Sequence, residues 1–320
     1  MPGPDRPAGR PVTVGSPAGS TAGSTVGSEA GCRFHRSPNV LFPTTVARVH
    51  DVGPRLVRVT LAGPDLAGCA DVGLDQRVKI LLPGPGTDLL ARRAGLAGES
   101  AWRREWSAFD DDVRPVMRSY TPVAVRPRDA EVDLDLYLHE PAGPASAWAR
   151  RAARGDRVLL SAPHVRFGVT DHGTQWEPGP DVAHVLLVGD ETSAPAVRGI
   201  LASLRPDVRA HVLVEADDPA DAPVGDVPGT VRVAHVRRRR RGGERAVLGA
   251  VRAWAVEHGR SAADAGAGFY AWCATESATV ARVRAELVAA GIERSRVHAQ
   301  GYWHDRARRR PEPEGGEARA

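Results

Sequence analysis

A run rich in glycine and proline, residues 173 to 181, divides this chain into two stretches whose apolar residues recur with different periods. Before it, short segments alternate, as in Leu56-Val57-Arg58-Val59-Thr60-Leu61 and Arg77-Val78-Lys79-Ile80-Leu81-Leu82. The cleanest is 131–139, where Val132, Leu134, Leu136 and Leu138 point one way and Asp133, Asp135, Tyr137 and His139 the other. Such strands, parted by Gly/Pro turns, predict a small antiparallel β-barrel over 36–165. A polar insertion at 84–115 interrupts it and is expected to hold a short helix and a loop. After the break the texture changes. His184-Val185-Leu186-Leu187-Val188 is continuously apolar, the pattern of a strand buried on both faces. A helix follows to about Leu204, then strands at 209–215, 230–236, 268–274 and 296–300, with helices at 244–258 and 278–290. This alternation over 180–305 predicts an α/β doubly wound parallel sheet, and the whole reads as a two-domain chain.

The bulk numbers fit that reading. The 320 residues suffice for two cores, and 42% hydrophobic with 26% charged residues is the profile of a soluble globular protein. A net charge of +4 is too small a basic excess to imply nucleic acid. Of the 43 basic residues only Lys79 is lysine, which singles it out. Cys32, Cys69 and Cys273 form no CxxC and the histidines lack ligand spacing, so no disulfide framework or metal site is expected. Cys273 reads as a small buried residue. No long apolar run calls for membrane insertion, and a cytoplasmic location is expected. Residues 1–35 read as a disordered tail and 306–320 as a loose one.

Three motifs suggest a cofactor. In Arg118-Ser119-Tyr120-Thr121 a guanidinium can grip phosphate bidentately, an aromatic ring can wall a flat heterocycle, and hydroxyls can reach its polar edge. Gly143-Pro144-Ala145-Ser146 opens a helix expected at 145–153, whose first-turn N–H groups suit an anion. Gly189-Asp190-Glu191-Thr192 closes the first parallel strand, where nucleotides bind in such sheets, although it is not GxGxxG. Alone, each is equally an ordinary strand, a capped turn or a good helix start. Arg237–Arg241 reads as a solvated loop, and Glu215 ends the second parallel strand, where an acidic side chain can meet a ribose.

Taken in order, these segments resemble the siderophore-interacting proteins, flavin-dependent ferric-siderophore reductases of the ferredoxin-NADP reductase superfamily. Further matches are Leu138-His139, Trp148-Ala149, Gly155-Asp156, Pro195-Ala196, Tyr270-Ala271-Trp272 and Gly301-Tyr302-Trp303, so the likeness spans roughly 38–304. It implies a FAD-binding barrel of ferredoxin-reductase type followed by an NAD(P)-binding parallel sheet. It places Arg118 on the FAD phosphates, Tyr120 on the isoalloxazine, and Ser119 and Thr121 beside them. His139 with Gly143, Pro144, Ala145 and Ser146 would complete the FAD site, and Gly189, Asp190, Glu191, Thr192, Glu276 and Trp303 would border NAD(P)H. Lys79, with Arg77 on its own side of the strand, would meet an anionic ferric siderophore. Thr275 departs from the glycine relatives carry there, and its Cβ narrows the backbone approach open to a nicotinamide. The implied activity is NAD(P)H-dependent reduction of a ferric siderophore through FAD. Two alternatives stay open, a flavoprotein reductase fed by a ferredoxin-like protein and a siderophore-binding protein without reductase activity.

Overall fold

The computed structural model describes residues 37–83, 97–168, 172–238 and 244–305. The expected N-terminal tail, the loop of the insertion up to residue 96, Arg239 to Arg241 and the stretch from Arg306 onward lie outside the described residues.

The first sheet holds β1 (Asn39–Asp51), β2 (Leu56–Ala62), β3 (Val78–Leu82), β4 (Ala97–Gly98), β5 (Val116–Tyr120), β6 (Ala124–Arg126), β7 (Glu131–Tyr137) and β8 (Arg157–Pro163). It runs β5-β3-β8-β1-β2-β7-β6 with β4 beside β1, every pairing antiparallel. The path ends on β5 and β6, which do not pair, so the expected barrel is a curled sheet left open between them. Its inner face gathers Val78, Ile80 and Leu82 with Val132, Leu134, Leu136, Val158 and Leu160. The outer face also carries apolar side chains, Leu41, Leu81 and Leu159. Helix α1 (Glu99–Ser107), inside the expected insertion, covers them with Trp102 and Trp106 at i,i+4 spacing. Helix α2 (Pro144–Ala149) is shorter than expected. The chain beyond it is tied to β1, where Gly155 N donates to Val46 O and Val46 N to Asp156 O, each at 2.8 Å.

The acidic side chains of β7 are not left to solvent. Arg58 grips Asp135 at 2.7 and 2.8 Å, Arg126 grips Asp133 at 2.6 and 2.8 Å, and Arg48 grips Glu131 at 2.6 and 2.7 Å. Thr60 Oγ1 donates to Asp133 at 2.7 Å. Arginines on three other strands thus turn an acidic stripe into a ladder of bidentate pairs. Removing one partner strands a buried carboxylate, since the Asp135 side chain is 2% exposed. Arg58→Ala is therefore expected to cost about 3 kcal/mol in denaturant unfolding, and a loss within 0.5 kcal/mol would contradict this account.

The second sheet is parallel throughout, with β9 (His184–Asp190), β10 (Arg209–Ala216), β11 (Val231–Arg237), β12 (Phe269–Glu276) and β13 (Val297–Trp303) in the order β11-β10-β9-β12-β13. Helix α3 (Ala194–Ser203) packs on the face bearing Val185 and Leu187, and α4 (Ala246–Asp264) with α5 (Ser277–Ala289) on the face bearing Leu186 and Val188. Neighbours in β9 thus face opposite cores, which explains its continuous apolar run. The strand order reverses between β9 and β12, the place where such sheets take nucleotides. Among the described residues no helix is long and apolar enough to cross a membrane.

Trp254 of α4 donates its indole N–H to His211 Nδ1 of β10 at 2.7 Å, so that nitrogen must be unprotonated. Burial, then the nearby His258 and Arg232, lowers the His211 pKa. A depressed histidine adds stability above its ordinary range and loses it as pH falls. Unfolding free energy should therefore drop as the pH falls from about 7 to about 5. His211→Asn, whose amide oxygen still accepts the indole N–H, should flatten that slope in denaturant titrations. An unchanged slope would assign the loss to other groups.

Candidate functional site

Asp75 ties the two sheets together. It lies in a tight turn after Gly73 (φ 66°) and Leu74 (φ 54°), just ahead of β3. Its Oδ1 accepts the backbone N–H of Gln175 at 2.9 Å and of Trp176 at 3.2 Å, in the segment joining the sheets, and its Oδ2 accepts Trp272 Nε1 of β12 at 3.0 Å. Gly173 has φ +90°, and a Cβ there would lie 3.0 Å from Arg77 O; Arg77 N donates to Gly173 O at 3.0 Å. Trp272 meets Tyr302 edge to face at 6.2 Å, and the Tyr302 hydroxyl lies 3.4 Å from Thr121 Oγ1. The parallel sheet therefore reaches the Arg118–Thr121 motif directly.

On β5, period-two alternation divides that motif. Tyr120 packs beside the inner core, and Arg118 pairs in register with Ile80 of that core. Ser119 is exposed and sits opposite Lys79, on the α1 side. The structure thus separates Ser119 from Arg118 and Tyr120, contrary to the expectation that it joins them. Arg118 donates to Met117 O at 2.8 Å and forms no ion pair among the described residues, so its charge is available to a phosphate. Burial raises the Tyr120 phenol above its usual range, leaving a neutral ring. At α2, Gly143 lies against His139, and a Cβ there would come 3.3 Å from the ring. Ser146 is a correction of another kind. Its hydroxyl donates to Tyr137 O at 3.0 Å and accepts from His139 N at 3.3 Å, so the side chain fastens α2 to β7. What that turn offers an anion is backbone, from Ala145 and Ser146 after Pro144. A cation without a carboxylate, an aromatic wall, a hydroxyl and free first-turn amides fit FAD.

At the carboxyl edge of the parallel sheet Asp190 is the hub. Its Oδ1 accepts Thr192 N at 3.0 Å and Thr192 Oγ1 at 2.6 Å, and its Oδ2 accepts Thr275 Oγ1 at 2.5 Å and Trp303 Nε1 at 2.9 Å. Thr275, expected to crowd a nicotinamide, instead turns inward and is fully buried. A Cβ at Gly189 would meet the Ser193 hydroxyl, which would have to shift away from Asp190. Two expected cofactor residues are taken up by the protein itself. Glu276 caps α5, accepting Thr279 N at 2.9 Å, and Glu191 is buried against Arg238. Burial, and then Asp190, push the Glu191 carboxyl up to about 7. Glu215 is equally engaged, with Val247 N of α4 donating to its Oε1 at 3.3 Å, so it does not face a ribose. Of the Arg237–Arg241 run, Arg237 is exposed and Arg238 is ion-paired.

Lys79 is not an open basic lip. Beneath α1 its Nζ lies 2.9 Å from Glu99 Oε1, with side chains 14% and 12% exposed. Arg103 donates to the same oxygen at 2.8 Å, while Ser37 and Asn39 donate to Oε2. Burial opposes the Glu99 charge, but Ser37, Lys79 and Arg103 outweigh it and hold the carboxyl at about 2. Burial likewise lowers Lys79 below its ordinary value, against the pull of Glu99. Arg77, by contrast, is exposed and has no ion pair among the described residues.

Residues 45–167 match the siderophore-interacting FAD-binding domain, and residues 182–306 match the siderophore-interacting protein domain. The chain belongs to the siderophore-interacting protein family. Its open antiparallel sheet and parallel sheet form the ferredoxin-reductase type of fold. Among this family's relatives, the mycobactin import ATP-binding/permease protein IrtA of Mycolicibacterium smegmatis is 30% identical over 217 residues, 65% of this chain and 22% of IrtA. The NADPH-dependent ferric-chelate reductase of Escherichia coli is 29% identical over 175 residues, 53% of this chain and 61% of the reductase. The chain thus spans less than two thirds of either relative. The crystal structure of the siderophore-interacting protein SipS from Aeromonas hydrophila superposes with a TM-score of 0.60 at 25% identity, covering 83% of this chain and 99% of SipS.

Asp75→Asn leaves one amide nitrogen where a carboxylate oxygen now accepts. Hydrogen exchange at the Gln175 and Trp176 amides should speed up by about tenfold or more, with the β7 amides unchanged. Equal exchange in both proteins would remove Asp75 from its place as the tie.

Proposed function

We propose that the protein is a flavoenzyme that takes electrons from NAD(P)H and reduces ferric siderophores, releasing iron as Fe(II). The observation that carries this reading is the meeting of Tyr302, at the end of the parallel sheet, with Thr121 of the flavin motif. That contact supports a reading in which a nucleotide at the edge of the parallel sheet lies next to a flavin walled by the Arg118–Thr121 motif. The names of the relatives, a ferric-chelate reductase and a mycobactin importer, point the same way. In this reading Arg118 holds the FAD phosphates, Tyr120 walls the ring, and Thr121 binds its polar edge. His139 and the 143–146 turn close the phosphate end through backbone amides. Asp190, Thr192 and Trp303 border the nucleotide, with Asp190 fixing the Trp303 indole. When bound, FAD supplies the step between a two-electron donor and a one-electron acceptor. The iron needs no protein ligand, because Fe(II) binds hard oxygen donors far more weakly than Fe(III) does. A supply of reduced nicotinamide places the reaction in the cytoplasm.

Lys79 already has its charge balanced by Glu99, so attraction of an anionic chelate falls to Arg77. Anaerobic mixing of FAD-loaded protein with NADH and with NADPH tests the reading. Bleaching of the flavin band by either, reversed by a ferric siderophore, is expected. Bleaching by neither, with dithionite-reduced protein still reducing the chelate, would hand the donor role to a ferredoxin-like protein. A protein that stays colourless with added FAD would sink the reductase reading. Arg77→Ala should raise the KM for an anionic ferric chelate by about tenfold and leave flavin reduction by the nucleotide unchanged. An unchanged KM would return the substrate role to Lys79.

A further inference from the structure

One ionisable side chain of the nucleotide edge has no task in the reaction described above. Glu191 stands in sequence between Asp190 and Thr192, and its side chain is 1% exposed. Its Oε2 pairs with Arg238, the residue after β11. Its Oε1 is buried without a hydrogen-bond partner, and so are the Tyr137 hydroxyl and Arg238 Nε. Tyr137 ends β7 of the first sheet, and its phenol stands beside Glu191 and Arg55. Burial, and then the Glu191 charge, push that phenol up to about 12, so it is neutral at physiological pH. Polar groups from both sheets therefore converge on Glu191 without completing their hydrogen bonds. Asp190, its neighbour, accepts four hydrogen bonds.

A carboxylate out of water, beside a second carboxylate and with one oxygen bare of donors, gains by taking a proton. Arg238 opposes this, but burial and then Asp190 outweigh it, and the carboxyl sits at about 7. A dinucleotide lying across the strand ends brings two pyrophosphate charges to this edge. Negative charge arriving near a half-protonated carboxyl raises its hold on the proton, whatever fixed charges already stand there. We infer that Glu191 takes up a proton when a pyridine dinucleotide binds, so that nucleotide affinity and proton uptake are coupled at this one carboxyl. This rests on the pyridine-nucleotide reading of the preceding subsection. The coupling is reciprocal. The bound protein holds more protons, so nucleotide affinity falls as the pH rises above about 7. It levels off once Glu191 is ionised in both states, and well below neutrality, where it is protonated in both, it does not vary with pH.

The test is calorimetric titration of the FAD-loaded full chain with NAD+ and with NADP+, which needs no turnover. Repeating each titration in two buffers of different ionisation enthalpy counts the protons that accompany binding. Uptake of about half a proton per nucleotide is expected near pH ~7.5. Glu191→Gln, titrated in the same buffers, should lose that uptake and flatten the fall of affinity with pH. The comparison separates this carboxyl from the ligand's own phosphates and from every other charge at that edge. Those charges include the exposed Arg237, and Arg239 to Arg241, which lie outside the described residues. Should the buried substitution prevent folding, Tyr137→Phe serves instead. The phenol helps hold the Glu191 charge, so its loss should move the uptake window to higher pH by about half a unit. Equal uptake with and without Glu191, proton release on binding, or a window unmoved by Tyr137→Phe would overturn the inference and leave the reductase reading standing. Binding of neither nucleotide, with the flavin band bleached by neither, would overturn the inference together with the pyridine-nucleotide reading beneath it.

Discussion

The carboxylate of Asp75 accepts three hydrogen bonds from two segments that share no secondary structure with it: two amides of the connecting chain and the indole of a central parallel strand. A buried carboxylate held by three donors is costly to break, because losing any one leaves charge in an apolar surround. The neighbouring contacts depend on it. Leu74, the residue before it, lies against Gly199 of α3, where a Cβ would meet Leu74 O at 2.5 Å. Trp272, fixed by Asp75, stands edge-on to Tyr302, and Tyr302 reaches Thr121. The alignment of the Arg118–Thr121 motif with the end of β13 follows from that chain of contacts.

Charge in this protein is mostly settled internally. The β7 carboxylates are gripped by Arg48, Arg58 and Arg126, Glu99 holds Lys79, and Glu215 and Glu191 hold Arg238 and Arg245. Against that background Arg77 and Arg118 belong to the arginines without carboxylate partners among the described residues, and they flank the two faces of β3 and β5. A guanidinium without a carboxylate partner is a group an anionic ligand can use.

Much of the fold was legible in the sequence because it depends on local period. The alternation over 131–139 identified β7, and the unbroken apolar run of 184–188 identified a strand buried on both faces. Residues whose roles depend on a distant partner were not legible. Ser119 shares a tetrapeptide with Arg118 and Tyr120 but lies on the other face. Ser146 bonds β7 rather than facing a ligand, and Thr275 turns toward Asp190, 85 positions away in sequence. Nothing in the local pattern announced Asp75, which lies in an unremarked turn.

The sequence by itself determined the two kinds of sheet, the break between them, and the order of motifs that marks the siderophore-interacting family. These are properties of neighbours along the chain, where a period of two or an apolar run already decides what can be buried. Only the tertiary structure decided which charges are free. Whether Lys79, Glu191, Glu215 or Glu276 meets a ligand depends on the side chain that packs against it, and those partners come from 20 residues away for Lys79 and 47 for Glu191. Electrostatic pairing acts through space, so it is set by the packing of sheets and helices rather than by position in the chain.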